Sequence, residues 1–254
     1  MLTEERHAAI LNELHLKGFA QVSALAQQLG VNPITIRRDL YSLEQQGRCI
    51  RTRGGAIQAG EGAVPELPYE IKTRQHVEEK LRIAQAAMNY VDDGDIIILD
   101  SGSTMYKLAE QLLTLHRLTV VTNDIKIASL LAVNPSIMLI CTGGTARANV
   151  YTLSGSQTEQ FLQNIRVKKT FLAADAVHTD GIISNMNMEE VAAKQAMIAA
   201  ANEVILLADS SKFQKTGFAN VCELRNVTLV ITDLGLPVEW QDRLKEWQVN
   251  TRLV

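Results

Sequence analysis

The sequence predicts an α/β protein in which an N-terminal winged helix-turn-helix is joined to a Rossmann-like, mostly parallel α/β domain. Three observations lead to this fold class. Residues 3–46 contain three short amphipathic stretches with helix caps, and a basic, β-prone segment follows them. Residues 58–69 contain two glycines and two prolines without apolar periodicity. From residue 95 onward, short apolar runs alternate with helical stretches, as expected for a parallel sheet covered by helices.

The composition limits the classes of protein to be considered. With 46% hydrophobic and 21% charged residues, the 254-residue chain can bury a sizeable core. Its apolar runs are too short to span a bilayer, and its first residues lack the apolar core of a signal peptide. Cys49, Cys141 and Cys222 show no metal-ligand spacing and are interpreted as reduced thiols. We therefore expect a cytoplasmic protein without membrane contact, metal or cofactor.

The charge is distributed unevenly along the chain. Residues 1–57 hold seven Lys and Arg against five Asp and Glu, whereas the remainder holds eighteen against twenty-three. A small basic end on a mildly acidic body is typical of a protein that contacts DNA through one face. The alternative is ordinary surface scatter, because an excess of two charges is small.

Residues 3–17 predict the first helix, with Thr3 as its N-cap and Gly18 as its stop. A second helix is expected to begin near Ser23, a capping residue, and to end at Gly30. The turn that follows is short. It leads into the third helix of the module.

The third helix begins with Asn32 as N-cap and Pro33 at the first helical position, where the missing N–H costs nothing. Its predicted buried stripe consists of Ile36, Leu40 and Leu43. Arg37 and Arg38 lie partly off this stripe, and residues 45–47 close the helix. A helix with arginines at its exposed N-terminal end can enter the major groove of DNA while the preceding helix contacts the backbone.

Residues 48–57 are basic and β-prone, and Gly54-Gly55 can form a turn within them. Three helices followed by a basic hairpin predict a winged helix-turn-helix, and a three-helix protein-binding module is the alternative. The candidate DNA contacts are Ser23, Asn32, Thr35, Arg37, Arg38, Arg48, Arg51 and Arg53. We assign residues 1–57 to the DNA-binding domain, 58–73 to a linker and 74–254 to the effector domain.

The effector domain is predicted to alternate strands with helices, after a helix at residues 74–90. The predicted strands are residues 96–100, 118–122, 137–142, 169–174, 204–208 and 227–232. The predicted helices are residues 104–113, 124–133, 158–164, 188–201 and 238–247. In a parallel sheet of this kind, ligands bind beyond the carboxyl ends of the strands.

The segment Asp100-Ser101-Gly102-Ser103-Thr104 follows the first of these strands directly and opens a helix. Its glycine allows close backbone approach, and its hydroxyls and helix N-terminal N–H groups can hold an anion. The segment lacks the Walker and dinucleotide-binding patterns, so an anion of the size of a monophosphate fits better than a nucleotide. The alternative is a capped turn without a ligand.

Polar groups also follow the other predicted strands, and Lys194 on a later helix can add a cation to the same anion. Their shared position at strand ends predicts one site. The candidate effector-binding residues are Asp100, Ser101, Gly102, Ser103, Thr104, Asn123, Gly143, Gly144, Asp175, Lys194, Asp209 and Lys212. Each of these signals is weak when it is taken alone.

These motifs together resemble the DeoR family of bacterial repressors. The resemblance rests on Arg6, Ile10, Leu14, Asn32, the run at residues 35–40 and the run at residues 53–56. Asn32 stands where that family usually has Ser or Thr. Residues 100–104 and 208–213 resemble the family's effector domain. That domain is in turn similar to ribose-5-phosphate isomerase, in which an equivalent loop holds a phosphate.

The resemblance implies a repressor of a carbohydrate-utilisation operon, and the expected partners are double-stranded operator DNA, a phosphorylated sugar and further copies of the chain in a homodimer or homotetramer. Release from DNA on ligand binding is the family expectation, and a corepressor role is left open. The alternative is a sugar-phosphate isomerase or deaminase with an appended DNA-binding module, for which Asp175 and Glu190 are candidate bases. The chain lacks the glycine-flanked acidic cluster of the isomerases, so we expect no enzyme activity.

Overall fold

The computed structural model describes residues 2–46, 48–52, 54–58, 67–213 and 215–254. The chain forms two compact units, Met1–Pro68 and Tyr69–Val254. Arg53, one of the predicted DNA contacts, lies outside the described residues. Within the described ranges, no helix is both long enough and apolar enough to cross a bilayer.

The N-terminal unit combines three helices with a small antiparallel sheet. Its elements are α1 (Thr3–Lys17), β1 (Phe19–Gln21), α2 (Val22–Leu29), α3 (Pro33–Gln45), β2 (Cys49–Thr52) and β3 (Gly55–Gln58). The strand order is β1-β3-β2. The sequence did not predict β1, because three residues are too few to show alternation. A Cβ atom on Gly55 would lie 2.0 Å from the Ala20 carbonyl oxygen, so only glycine permits this approach of β3 to β1.

Two of the predicted N-caps are wrong. Leu2 takes the N-cap position of α1, so Thr3 is the first helical residue. Ser23 is the second residue of α2, which begins at Val22. The strand pairing of β1 explains this earlier start, because it leads the chain directly into α2, where the Val22 N–H donates to the Gly54 carbonyl oxygen at 2.9 Å.

The remaining helix boundaries of the unit follow the sequence. Gly18 and Gly30 end α1 and α2 in the left-handed conformation, with φ of 73° and 64°. Asn32 caps α3, because its Oδ1 accepts from the Ile34 N–H at 2.9 Å. Pro33 occupies the first helical position. These predictions are confirmed.

A buried ion pair ties α1 to α3. The Arg6 guanidinium donates through Nη2 to Asp39 Oδ1 at 2.8 Å and through Nε to Oδ2 at 2.5 Å. Burial by itself would raise the pKa of Asp39, but the hydrogen bonds and charge of Arg6 outweigh it and lower the pKa. The pair lies beside the apolar core of the unit. That core includes Ile10, Leu14, Leu25, Ile36, Leu40 and Leu43.

We expect Arg6→Met to destabilise the N-terminal unit by about 3 kcal/mol, because it removes the guanidinium that pairs with the buried Asp39 carboxylate and leaves it the His7 ring nitrogen at 3.2 Å. Hydrogen exchange of the α1 and α3 amides in the full chain measures this loss. Lys17→Met is the matched control, because it breaks the exposed Lys17–Glu13 pair and should cost less than about 0.5 kcal/mol. Equal effects of the two substitutions would contradict a structural role for the Arg6–Asp39 pair.

The C-terminal unit is an α/β domain. Its helices are α4 (Tyr69–Lys72), α5 (Val77–Ala87), α6 (Ser103–Leu112), α7 (Ile125–Leu131), α8 (Ser156–Gln163), α9 (Val191–Ala200) and α10 (Val238–Glu246). Its strands are β4 (Ile96–Leu99), β5 (Leu118–Thr122), β6 (Ile137–Cys141), β7 (Thr145–Ala146), β8 (Leu153–Ser154), β9 (Val167–Leu172), β10 (Ala176–Val177), β11 (Ile182–Asn185), β12 (Ala201–Leu207), β13 (Ala219–Glu223), β14 (Leu229–Thr232) and β15 (Thr251–Leu253).

Seven strands form a parallel sheet in the order β15-β14-β12-β9-β4-β5-β6. The six predicted strands are all in it, which confirms the Rossmann-like fold class. The seventh, β15, was not predicted, nor were the sheet β10-β11-β13 and the hairpin β7-β8, whose strands are two to five residues long. Helix α4 lies within residues 58–73, which the sequence assigned to the linker.

Helices cover both faces of the sheet. Ile97 and Leu99 of β4 pack in the same cluster as α5, α6 and α7, whereas Ile98 packs against α8 and α9. From β4 the chain proceeds through β5 and β6 in one direction, and from β9 through β12, β14 and β15 in the other. The sheet therefore has its topological switch point between β4 and β9. Ligands of such folds bind in the crevice at this point.

Candidate functional site

The exposed face of α3 carries Ile34, Arg37, Arg38 and Tyr41. The spacing of three, one and three residues places them on the side of α3 opposite to its buried stripe. Ile34 and Tyr41 are 55% and 53% exposed, so they add apolar surface beside the two arginines. The sequence analysis missed both, although their spacing from the two arginines would have revealed them.

Strands β2 and β3 form the wing of the N-terminal unit. Arg51 on β2 packs against the exposed face of α3. Arg51 Nε donates to Glu44 Oε2 at 2.6 Å, and its guanidinium lies 5.0 Å from the centroid of the Tyr41 ring. Glu44 therefore offsets the charge of Arg51, and Arg51 orients Tyr41. Arg48 is exposed without such a carboxylate contact among the described residues.

Three further predicted DNA contacts occupy different environments. Ser23 is exposed on α2, and Thr35 is half-buried on α3. Asn32 is exposed, but its Oδ1 is committed to capping α3. The amide nitrogen of Asn32 is thus the group that remains for an outside partner.

The predicted effector-binding residues lie at the carboxyl edge of the parallel sheet, with Lys194 on α9. They follow β4 (Asp100 to Thr104), β5 (Asn123), β6 (Gly143 and Gly144), β9 (Asp175) and β12 (Asp209 and Lys212). The strands run parallel, so their carboxyl ends share one edge. Asp100 and Asp175 follow the two strands that flank the switch point.

Asp100 is fully buried and holds the loop after β4. Its Oδ1 accepts from the Ser101 N–H at 2.8 Å, and its Oδ2 accepts from the Ala173 N–H at 2.9 Å, beyond β9. Lys194 Nζ pairs with the same Oδ2. Burial by itself would lower the pKa of Lys194, but the Asp100 carboxylate raises it overall. Lys194 therefore neutralises Asp100, whereas the sequence assigned its charge to a bound anion.

Gly102 shapes the start of α6. Its φ of 124° is a conformation that other residues rarely adopt. Ser103 and Thr104 begin the helix and are almost fully buried, as is Ser101. The first N–H groups of a helix have no partner inside it, so this turn offers donors to an anion.

Asp124, which the sequence analysis did not assign to the site, borders this loop. Its Oδ2 accepts from the Gly102 N–H at 3.0 Å, and its Oδ1 accepts from the Lys126 and Ile127 N–H groups. Burial raises the pKa of Asp124 to about 6, against the opposing effect of these hydrogen bonds. Its position directly after Asn123 was the available sequence signal.

A cluster of three lysines lies around two carboxylates at the same edge. Lys72 Nζ donates to Asp175 Oδ1 at 2.9 Å, and Lys80 Nζ donates to the Lys72 and Gln75 carbonyl oxygens. Burial lowers the pKa of Lys80 to about 8, and the charges of Lys212 and Lys72 lower it further, while Asp209 opposes them. We call Lys72, Lys80 and Lys212 the lysine cluster. It has one more positive charge than Asp175 and Asp209 can offset.

The sequence found Lys212 but missed the other two members of the cluster. Burial lowers the pKa of Lys212, although the carboxylates of Asp209 and Asp175 oppose this effect. Lys72 fell within the predicted linker, and Lys80 was assigned only to a helix. Their distance from Lys212 in the sequence concealed their proximity in the fold.

Two of the predicted effector-binding residues, Asn123 and Gly143, form hydrogen bonds with groups that were not assigned to the site. Asn123 Nδ2 donates to the Leu153 carbonyl oxygen at 3.2 Å, and the Thr158 hydroxyl donates to the Gly143 carbonyl oxygen at 2.6 Å. Several buried polar atoms nearby have no hydrogen-bond partner within the described part of the chain. They include Asn123 Oδ1, Asn185 Oδ1, Asp209 Oδ2 and Thr232 Oγ1. Such atoms usually indicate that a water molecule or a ligand completes the site.

Glu190, one of the two candidate bases, is engaged in an ion pair. Its Oε1 pairs with Arg147 Nη1, and its Oε2 accepts from Asn185 Nδ2 at 2.7 Å. The sequence analysis did not single out Arg147. The other candidate base, Asp175, is held ionised by Lys72, whose charge lowers its pKa against the opposing effect of burial.

The stability of the C-terminal unit should depend on pH through Asp124. The folded-state pKa of about 6 lies above the ordinary value of 3.8, so the folded state binds an extra proton between these values. The free energy of unfolding should therefore fall as pH rises through this window, by about 2 kcal/mol from pH 4 to pH 7. Asp124→Asn should lack this component.

Urea unfolding followed by tryptophan fluorescence measures this difference, because both tryptophans, Trp240 and Trp247, belong to the C-terminal unit. Asp242→Asn, at an exposed ion pair with Lys245, is the control. A stability difference between wild type and Asp124→Asn that is constant from pH 4 to pH 7 would refute the assignment.

Comparison with known proteins matches both parts of the chain. Residues 6–60 match the DeoR-like helix-turn-helix domain, and residues 75–234 match the DeoR C terminal sensor domain. The chain is 31% identical over 254 residues to a putative aga operon transcriptional repressor of Escherichia coli O157:H7, covering 99% of this chain and 94% of the relative. It is 28% identical to the glycerol-3-phosphate regulon repressor of Escherichia coli K12, covering 100% of both chains.

Among solved structures, ribose 5-phosphate isomerase A from Methanocaldococcus jannaschii aligns with a TM-score of 0.41 at 21% identity, over 56% of each chain. The family matches and the relative at 31% identity extend over both units. The first unit is thus matched as a helix-turn-helix domain and the second as a sensor domain. The chain therefore belongs to the DeoR family of helix-turn-helix transcriptional regulators and joins a DeoR-like DNA-binding domain to a DeoR sensor domain.

Proposed function

We propose that this chain represses a carbohydrate-utilisation operon and that a phosphorylated sugar or sugar derivative, bound at the carboxyl edge of the sheet, controls its affinity for operator DNA. The main support is the anion-sized loop at the switch point, where Gly102 leads into the first turn of α6. Ser101, Ser103 and Thr104 place three hydroxyls at this turn. We expect the phosphate to bind there.

The lysine cluster supports an anionic effector. Three ammonium groups lie near two carboxylates. Burial is the main cause of the lowered pKa values of Lys80 and Lys212, and repulsion from neighbouring lysines, including Lys72, adds to it. An added phosphate would relieve this repulsion. Asp175 and Asp209 can accept hydrogen bonds from sugar hydroxyls, since the Oδ2 atom of Asp209 has no partner among the described residues.

The names of two relatives favour the same chemical class. One is called a repressor of the aga operon and the other a repressor of the glycerol-3-phosphate regulon. Glycerol 3-phosphate is a small phosphate ester. A ligand of this size and charge fits the loop better than a nucleotide does.

In the N-terminal unit, α3 is proposed to read the major groove. Arg37 and Arg38 would divide between base edges and phosphates, and Ile34 offers an apolar surface for a thymine methyl group. Arg48 of the wing would contact the backbone. A homodimer or homotetramer would bind inverted half-sites, as helix-turn-helix dimers do.

We do not favour the alternative function, that of a sugar-phosphate isomerase or deaminase. A general base at neutral pH needs a pKa near 7, whereas Lys72 holds the pKa of Asp175 well below its ordinary range. Glu190 is paired with Arg147 and Asn185. Both carboxylates are therefore suited to positioning a ligand rather than to removing a proton from it.

A panel of pentose, hexose, amino-sugar and glycerol phosphates tests the effector, with each unphosphorylated parent as the control. Tryptophan fluorescence reports the unfolding of the C-terminal unit. A compound at one hundred times its Kd stabilises the folded state by about 2.7 kcal/mol. Stabilisation by no phosphate ester, or turnover of one, would overturn the proposal.

Ser103→Glu should abolish this stabilisation, because its carboxylate would repel the phosphate at the first turn of α6. Ser156→Glu is the matched control, since Ser156 likewise follows a positive-φ glycine at the start of a helix, α8, but is exposed. If the glutamate disturbs folding, Ser103→Ala is the second variant. It should weaken the binding of the phosphate ester. Undiminished stabilisation in both Ser103 variants would place the phosphate elsewhere.

Arg37→Ala should weaken operator binding by about 1–3 kcal/mol if Arg37 reads a base. The DNA fragment is first selected from genomic fragments with the purified protein, and affinity is then measured at fixed salt. Arg225→Ala, at an exposed arginine of the C-terminal unit, is the control. Unchanged affinity in Arg37→Ala would remove this residue from the interface.

A further inference from the structure

Helix α4 is the first element of the C-terminal unit, and the chain reaches it from the DNA-binding unit through the segment that ends at Pro68. Although α4 is only four residues long, contacts hold it at both ends. The Tyr69 N–H donates to the Asn149 carbonyl oxygen at 2.9 Å. Glu70 Oε1 accepts from Lys126 Nζ at 2.9 Å. These two anchors fix its N-terminal end.

Aromatic packing adds to the same anchors. The buried Tyr69 ring lies edge-on to Tyr151, with a centroid distance of 5.5 Å, and to Tyr106 at 6.4 Å. The Lys126 ammonium lies 4.3 Å from the centroid of the Tyr151 ring and 5.4 Å from that of Tyr69. The N-terminal end of α4 is thus attached to α6, α7 and the loop after β7.

The C-terminal end of α4 is attached to the effector site instead. Lys72 pairs with Asp175, beyond the end of β9, and the Lys72 carbonyl oxygen accepts from Lys80 Nζ at 2.5 Å. Asp175 also accepts from the Met186 N–H at 3.1 Å. Both side chains of the Lys72–Asp175 pair are largely buried, so water screens their attraction only in part.

The loop after β7, which accepts a hydrogen bond from the Tyr69 N–H through Asn149, has an unusual backbone conformation. Asn149 and Tyr151 have φ of 62° and 63°, in the left-handed region. Asparagine tolerates this region, whereas a tyrosine in it is strained. The same loop carries Arg147, which pairs with Glu190 near the orphaned oxygen of Asn185. Strain of this kind is retained where the surrounding contacts, here those with α4, compensate for it.

We propose that α4 reports the occupancy of the effector site to the DNA-binding unit, and that the Lys72–Asp175 ion pair is the contact that the effector exchanges. This inference rests on the proposed function. A sugar hydroxyl that donates to Asp175 and a sugar oxygen that accepts from Lys72 replace the pair. The C-terminal end of α4 then loses its attachment to β9, while its N-terminal anchors remain.

The energies involved are of the required size. Coupling between an effector and a second site changes the affinity of that site about 5- to 150-fold in typical allosteric proteins. Exchange of one largely buried ion pair can supply this amount, because the effector needs only to bind one arrangement of α4 better than the other. Lys72 belongs to α4 and Asp175 to the predicted effector-binding residues, so the pair joins the helix to the proposed ligand site.

The first experiment measures hydrogen exchange of residues 69–75 in the full-length protein. The amide of Thr73 donates to the Tyr69 carbonyl oxygen, so its protection reports whether α4 is formed. Asp175→Asn should raise exchange in this segment at least tenfold, whereas Asp180→Asn, at an exposed aspartate, should not. Unchanged exchange in Asp175→Asn would overturn the inference without affecting the proposed function.

The second experiment uses the phosphate ester from the panel that gives the largest stabilisation. It should lower exchange in residues 101–105 and raise it in residues 69–75. Protection of both segments would show that the ligand fastens α4 rather than releasing it, and would overturn the inference. Absence of binding by every compound in the panel would instead refute the proposed function, and the Asp175→Asn comparison would still decide the role of the ion pair.

The third experiment separates coupling from binding. Glu70→Gln weakens an anchor of α4 that lies away from the proposed ligand contacts, and Glu110→Gln, in the Lys107–Glu110 pair of α6, is the matched control. The same phosphate ester should bind Glu70→Gln with a Kd within threefold of wild type. The ratio of DNA affinities with and without it should change at least fivefold. An unaltered ratio would contradict the role of α4.

Discussion

The buried carboxylate of Asp100 is the constraint on which the sensor domain depends. It lies at the switch point and joins β4 to β9 through the Ala173 N–H, to the loop through the Ser101 N–H, and to α9 through Lys194. A charge in this position is costly unless it is paired and hydrogen-bonded. These three contacts connect the loop that starts α6 to β9 and α9 and so position its backbone.

The second feature of the domain is an imbalance of charge at the same edge of the sheet. Asp100 and Lys194 neutralise each other, whereas the lysine cluster exceeds its two carboxylates by one charge. The charge of Asp100 is therefore balanced by Lys194. Around Asp175 and Asp209, in contrast, the lysine cluster leaves one positive charge in excess of these two carboxylates. Under the proposed function, the loop at residues 101–104 would hold the phosphate, and the Lys72–Asp175 pair would be a contact that the ligand exchanges.

The local patterns of the sequence predicted correctly those features that depend on residues close together in the chain. Asn32 and Pro33 fixed the start of α3, and the alternation of strands and helices fixed the parallel sheet, since both depend on residues close together in the chain. The cap assigned to Ser23 failed because a three-residue strand, β1, moved the start of α2. A strand as short as β1 forms because it pairs with a strand far away in the sequence. Its own three residues are too few to show the alternation that would predict it.

The sequence by itself determined that a basic recognition helix precedes a sheet whose strand ends are polar, because the periodicity of apolar residues and the helix caps are local properties. Only the tertiary structure decided which charges meet. Arg6 was brought to Asp39, Lys194 to Asp100 and Lys72 to Asp175, across separations of 33, 94 and 103 residues. Electrostatic attraction falls with distance in space and is independent of separation along the chain, so folding alone could assign these partners.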